Sequence, residues 1–113
     1  MTEPKLKAKL FIHAAIRRCT VEGLYATVVK KGDEDAGAVL VKLNRGAAGC
    51  VVFAQVRDKD GRLAWMAATG GEPVPEEKAD AYIARAREID YDLWVIEVES
   101  PSGRVPFIEG VIP

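Results

Sequence analysis

Ala38-Val39-Leu40-Val41-Lys42-Leu43-Asn44, then Arg45-Gly46-Ala47-Ala48-Gly49, then Cys50-Val51-Val52-Phe53-Ala54-Gln55-Val56-Arg57, is the stretch that decides the fold class. Its two apolar runs are short, rich in β-branched residues and bounded by a small-residue loop, so they read as strands. The loop between them is too short for a parallel crossover, which needs about a dozen residues. Downstream, Asp58-Lys59-Asp60-Gly61 reads as a tight hairpin turn feeding a further strand, Leu63 to Ala68. Upstream, Leu24 to Lys30 is a strand and residues 31–37, Lys-Gly-Asp-Glu-Asp-Ala-Gly, are turn material. Four consecutive strands with short connections are expected to form an antiparallel meander.

A helix is expected on either side of these strands. From Ala8 to Glu22, a period of 100° per residue gathers Ala8, Ile12, Ala15, Ile16 and Cys19 on one arc and Lys9, His13, Arg17 and Thr20 on another. Gly23 is a natural stop. Because Lys7 and Lys9 alternate with Leu6, Ala8 and Leu10, a short strand over residues 6–12 stays open as an alternative. After the irregular Thr69–Pro75, Pro75 opens a second helix with Glu76 and Glu77 in its first turn and Ala79, Tyr82, Ile83, Ala86 and Ile89 on one face. Leu93 to Glu99 returns to strand, with Trp94, Ile96 and Val98 alternating against Val95, Glu97 and Glu99.

The expected fold class is therefore α+β: a small single domain over residues 1–113, in the order helix, four strands, helix, strand. An antiparallel or mixed five-stranded sheet would carry both helices on one face, with Trp65 and Trp94 in the core. Residues 1–5 are read as flexible, and residues 108–113 are left open in this respect.

Composition is that of an ordinary folded domain, 49% apolar and 29% charged. The net charge of −1 conceals a polarity. Residues 1–60 hold 11 Lys and Arg against 7 Asp and Glu, whereas residues 61–113 hold 5 against 10. Such asymmetry can steer an anionic partner or let two halves attract. Cys19 and Cys50 are too few for a secreted disulfide framework and are expected as free buried thiols. No apolar run suggests a signal peptide or a membrane span, so a cytoplasmic location and no membrane partner are expected.

Few motifs carry chemistry. Two cysteines and one histidine, without CxxC or HxxxH spacing, give no zinc site. Neither phosphate-loop signature, GxxxxGK[ST] or GxGxxG, occurs. Asp33 and Asp35, with Asp58 and Asp60, could gather a hard cation if two turns met, but a solvated hairpin turn accounts for them. No catalytic, cofactor-binding or metal-ligating residue is therefore assigned. The candidate contact for an anion or partner is a cationic helix stripe, Lys9, His13 and Arg17, each one turn from the next; Arg18 would pair with Glu22 instead. Nucleic acid is the lesser possibility, using Arg17, Arg18, Lys30, Lys31, Lys42 and Arg45 on phosphates and exposed aromatics for stacking.

Three segments carry a family resemblance: Ala15-Ile16-Arg17-Arg18-Cys19; Gly32-Asp33-Glu34-Asp35-Ala36-Gly37 with Ala38 to Arg45; and Asp92-Leu93-Trp94-Val95-Ile96-Glu97-Val98. They resemble a family of short alphaproteobacterial proteins known as domain of unknown function 1491. The resemblance spans nearly the whole chain and implies a stand-alone bacterial cytoplasmic protein. It supplies no activity, substrate or catalytic residue. The leading functional expectation is a small protein-interaction or regulatory domain that binds a partner or its own copy, with an anion- or nucleic-acid-binding module as the alternative and a non-canonical enzyme third.

Overall fold

The structure is a computed structural model and describes residues 7–112. Residues 1–5, read as flexible above, lie outside the described residues, as does Pro113. The elements are α1 (Ala8–Val21), β1 (Tyr25–Lys30), β2 (Val39–Asn44), β3 (Cys50–Arg57), β4 (Leu63–Ala67), α2 (Glu76–Ile89), β5 (Trp94–Glu99) and β6 (Val111–Ile112). A 3-10 turn, Gly46–Ala48, joins β2 to β3. The class is α+β, and residues 8–12 are helix, which closes the strand alternative for that stretch.

The sheet is mixed and six-stranded, in the order β1-β5-β2-β3-β4-β6. The expected four-strand meander is thus only β2-β3-β4, each pair antiparallel. β5 inserts between β1 and β2, antiparallel to the first and parallel to the second. The reason is burial: Trp94, Val95, Ile96 and Val98 are all buried, so β5 needs a neighbour on each side and cover on both faces. The sixth strand is a two-residue one, β6, which runs parallel to β4 and was not foreseen.

The helices lie on opposite faces, a second correction. Ala8, Ile12, Ala15 and Cys19 of α1 pack with Val39, Val41, Leu43, Val51, Trp65, Trp94, Ile96 and Val98. Ala79 and Ile83 of α2 pack with the alternate residues Leu40, Cys50, Val52 and Val95. Strands β2, β3 and β5 are apolar on both sides and require two covers, because successive side chains alternate between faces. Ile89, expected on the buried arc of α2, is 85% exposed at the end of the helix. Both tryptophans are buried as expected.

The ends of α1 are set by the chain around it. Its N-cap, Lys7, makes no side-chain cap. Carbonyls of the loop between β1 and β2 serve instead: Lys9 N–H donates to Glu34 O at 3.0 Å and Ala8 N–H to Asp35 O at 3.4 Å. At the other end Gly23, with φ +76°, permits a Schellman closure in which Leu24 N–H donates to Cys19 O and Gly23 N–H to Thr20 O.

Candidate functional site

The loop that caps α1 is the GDEDAG segment, residues 32–37. Asp33 Oδ2 accepts from the N–H groups of Asp35 and Ala36, closing a local turn. The indole N–H of Trp94 donates to Asp33 O at 2.7 Å, and Asp33 N–H donates to Asp92 O. A Cβ on Gly32 or Gly37 would collide with Asp92 O and come within 2.7 or 2.8 Å of Trp94 Cδ1, so both positions need glycine to let the loop lie on Trp94. The loop meets the helix amides through its backbone carbonyls, while the side chains of Glu34 and Asp35 meet Lys7, Lys9 and Lys31.

That arrangement places a carboxylate at one end of the cationic stripe. Lys9, His13 and Arg17 are all exposed along α1. Lys9 Nζ, however, lies 3.3 Å from Glu34, whose carboxyl is held below its ordinary range by hydrogen bonds and charge from Lys9 and Lys31. Among the described residues His13 and Arg17 enter no ion pair. Arg18 does not pair with Glu22 as expected. Glu22 is taken by Arg104 in a two-pronged contact of 2.6 and 2.9 Å, while Arg18 reaches Glu109 at 3.7 Å. An i,i+4 pairing rule cannot anticipate a guanidinium arriving from 82 residues away.

The opposite face holds a polar cluster that sequence reasoning missed. Lys42, assigned above to possible phosphate contact, is buried on the α2 side of β2, with Nζ 2.7 Å from both Glu76 and Asp80 and 3.9 Å from Glu97. Asn44 Nδ2 donates to Glu97 at 3.0 Å. Burial alone would lower the Lys42 pKa, but the hydrogen bonds it donates to Asp80 and Glu76 and the charge of Glu97 outweigh it and hold the ammonium above its ordinary value. A lysine fixed in its charged form is neither a base nor a nucleophile at neutral pH. It instead pins the first turn of α2 to the sheet. The signal available was one lysine inside an apolar strand, with Glu76 and Asp80 four residues apart on a helix.

The thiols offer no more chemistry. Burial raises the pKa of Cys19, with Glu22 adding to the effect, and burial likewise raises that of Cys50. Both are free and buried, as expected, and neither has the exposure or lowered pKa of a nucleophile. Phe11, Trp65 and Phe107 form a mutual cluster with centroids 5.9 to 6.1 Å apart. The same three rings, with Leu63, Val111 and Ile112, line an open groove of about 400 Å³.

At one rim of the sheet β1 exposes apolar surface. Tyr25 is 65% exposed, Val29 48% and Val28 38%, and no charged residue occurs from Tyr25 to Val29. β1 is the terminal strand of the sheet, bonded on one side only to β5. A bulge interrupts its register between Val28 and Lys30. Lys30, the residue placed to guard this edge, turns its ammonium inward to the carbonyls of Tyr91 and Leu93 at 2.7 and 3.0 Å. Within the described residues no helix is long and apolar enough to cross a membrane.

A family model described as protein of unknown function DUF1491 matches residues 6–108. Among solved structures, the chain is similar to the crystal structure of a DUF1491 family protein from Caulobacter crescentus CB15. They share 38% identity and a TM-score of 0.85, over 96% of this chain and 100% of the other. An NMR structure of a DUF1491 family protein from the same organism gives 38% identity and a TM-score of 0.83, over 98% and 100%. The solution structure of a protein from A. tumefaciens gives 26% and 0.75, over 96% and 100%. No curated protein matches the chain with significance.

Proposed function

The chain belongs to the DUF1491 family of proteins of unknown function, and from that premise we propose that it is a protein-interaction domain that binds by strand addition at β1. The observation that carries this is an outermost strand whose side chains from Tyr25 to Val29 are uncharged and, apart from half-buried Ala26, exposed, with Lys30 turned away. An edge strand offers a row of main-chain donors and acceptors to any extended segment, with alternate side chains supplying selectivity. Proteins commonly protect such an edge with charge or cover; here only the bulge and Lys31 at its end do so.

The cationic-stripe alternative has less support, because Glu34 already neutralises Lys9 and leaves His13 and Arg17 alone. Both readings meet one test. Capture from native host extract by the wild-type chain is compared with capture by Val29→Lys and by Arg17→Ala. Strand addition predicts a loss of about tenfold or more for Val29→Lys, with new amide protection over Tyr25–Val29 in the complex. Undiminished capture by Val29→Lys together with loss in Arg17→Ala would transfer the function to the stripe.

A further inference from the structure

We infer that the partner at this edge is a second copy of the chain, its β1 paired antiparallel with the first about a twofold axis at Thr27; this rests on the strand-addition reading above. A twofold antiparallel pairing matches residues whose numbers have a constant sum, and that sum must be even. Otherwise the paired side chains would point to opposite faces and their amides would not meet. Among the even choices, centring on Thr27 places the regular stretch Ala26–Val28 about the axis and leaves the bulge that follows Val28 at either end of the pairing. Thr27 then meets Thr27, Ala26 meets Val28, and Tyr25 meets Val29. These are a threonine pair, an aliphatic pair and an aromatic with a β-branched residue, combinations that favour cross-strand packing.

Charge selects the same arrangement. The far end of β1 runs into Lys31, whose ammonium lies 3.5 Å from Glu34 while its side chain stays 66% exposed and can reach across the edge. At the near end the first residue, Tyr25, is paired across to exposed Glu99, which enters no ion pair among the described residues. Antiparallel pairing brings Lys31 of each copy to the acidic end of the other; parallel pairing would set Lys31 against Lys31. The strand is therefore complementary to itself under a twofold axis, as an isologous contact requires. The two six-stranded sheets would merge into one of twelve.

Thr27→Cys provides the test, because directly opposed residues in an antiparallel pair have Cα atoms about 4.5–5.5 Å apart, within disulfide range. The native thiols are buried and do not compete. Under mild oxidation Thr27→Cys is expected to form a covalent dimer, whereas Asp60→Cys, in the exposed β3–β4 turn, stays monomeric. By sedimentation, the wild-type chain should associate with rising concentration and Val29→Lys should need at least tenfold more protein to do so. A wild-type mass that stays monomeric at several hundred micromolar overturns self-pairing. If Val29→Lys has meanwhile lost its host partner, strand addition itself survives. A dimer that neither cross-links at Thr27 nor responds to Val29→Lys overturns self-pairing at this edge as well.

Discussion

β1 and β5 are neighbours of equal length, rich in the same kind of residue, and they end in opposite environments. In β5, Val95, Ile96 and Val98 have no exposed surface; in β1, across the ladder, Val28 and Val29 remain in solvent. Strand propensity does not distinguish them. The loops do: residues 31–38 can extend far beyond the roughly 10 Å needed to step across an intervening strand, and that slack admits β5 between β1 and β2. The helix in the crossover from β4 then delivers β5 parallel to β2. Burial in this sheet is assigned by connection length, and the strand displaced to the rim is left for other work.

The contrast is broken most severely at Trp94. Trp94→Ala removes a buried ring and the donor that holds Asp33, and should cost about 3–5 kcal/mol in urea unfolding. Amide exchange at Ala8 and Lys9 should accelerate with it, because their acceptors lie on the released loop. Gly37→Ala attacks the same contact from the loop side and is expected to cost about 1–3 kcal/mol, through a forced shift of Asp92 and Trp94.

A smaller effect belongs to the clamp beneath β5. Lys42→Met should cost about 1–2 kcal/mol at pH 7, less than the loss of a fully enclosed ion pair because Glu76 and Asp80 are about half exposed. The folded pKa of Lys42 lies above its ordinary 10.5, so the ammonium's contribution is complete below that value and is lost as pH rises beyond it. The stability gap between wild type and Lys42→Met should accordingly stay level through neutral pH and narrow above about 10.5. The smallest effect is expected at β1 itself: Val29→Lys should move the unfolding free energy by less than about 0.5 kcal/mol while weakening association. A large destabilisation there would mean that the rim strand contributes as much to the fold as the interior one.

What the sequence revealed follows the range of the forces involved. Both helices were legible because amphipathic spacing is local, and the β2-β3-β4 hairpins because their connections are short. The seat of β5 was not: Glu97 and Glu99 made its second face look wet, although Glu97 is only half-buried beside Lys42 and Asn44. Ion pairs failed for the same reason. Glu34 and Arg104 reach Lys9 and Glu22 from 25 and 82 residues away, and helix spacing carries no information about such partners. Asp33–Asp35 do form a turn, but not the expected hairpin, because β5 separates β1 from β2; the loop's role as a cap for α1 depends on the packing of Gly32 and Gly37 on Trp94, which spacing does not show.

The capped start of α1 also has a consequence in time. The loop that completes this helix is itself held by Trp94, 61 residues after Asp33. At roughly 5–20 residues per second, a ribosome that has finished β1 takes about 3–13 s more to supply that tryptophan. Throughout that interval Ile12, Ala15 and Cys19 have no finished sheet to cover, and the inner edge of β1 has no β5 to meet. The nascent chain ending just short of Leu93 is thus the form of this protein most exposed to aggregation, and the synthesis of β5 is what ends the risk.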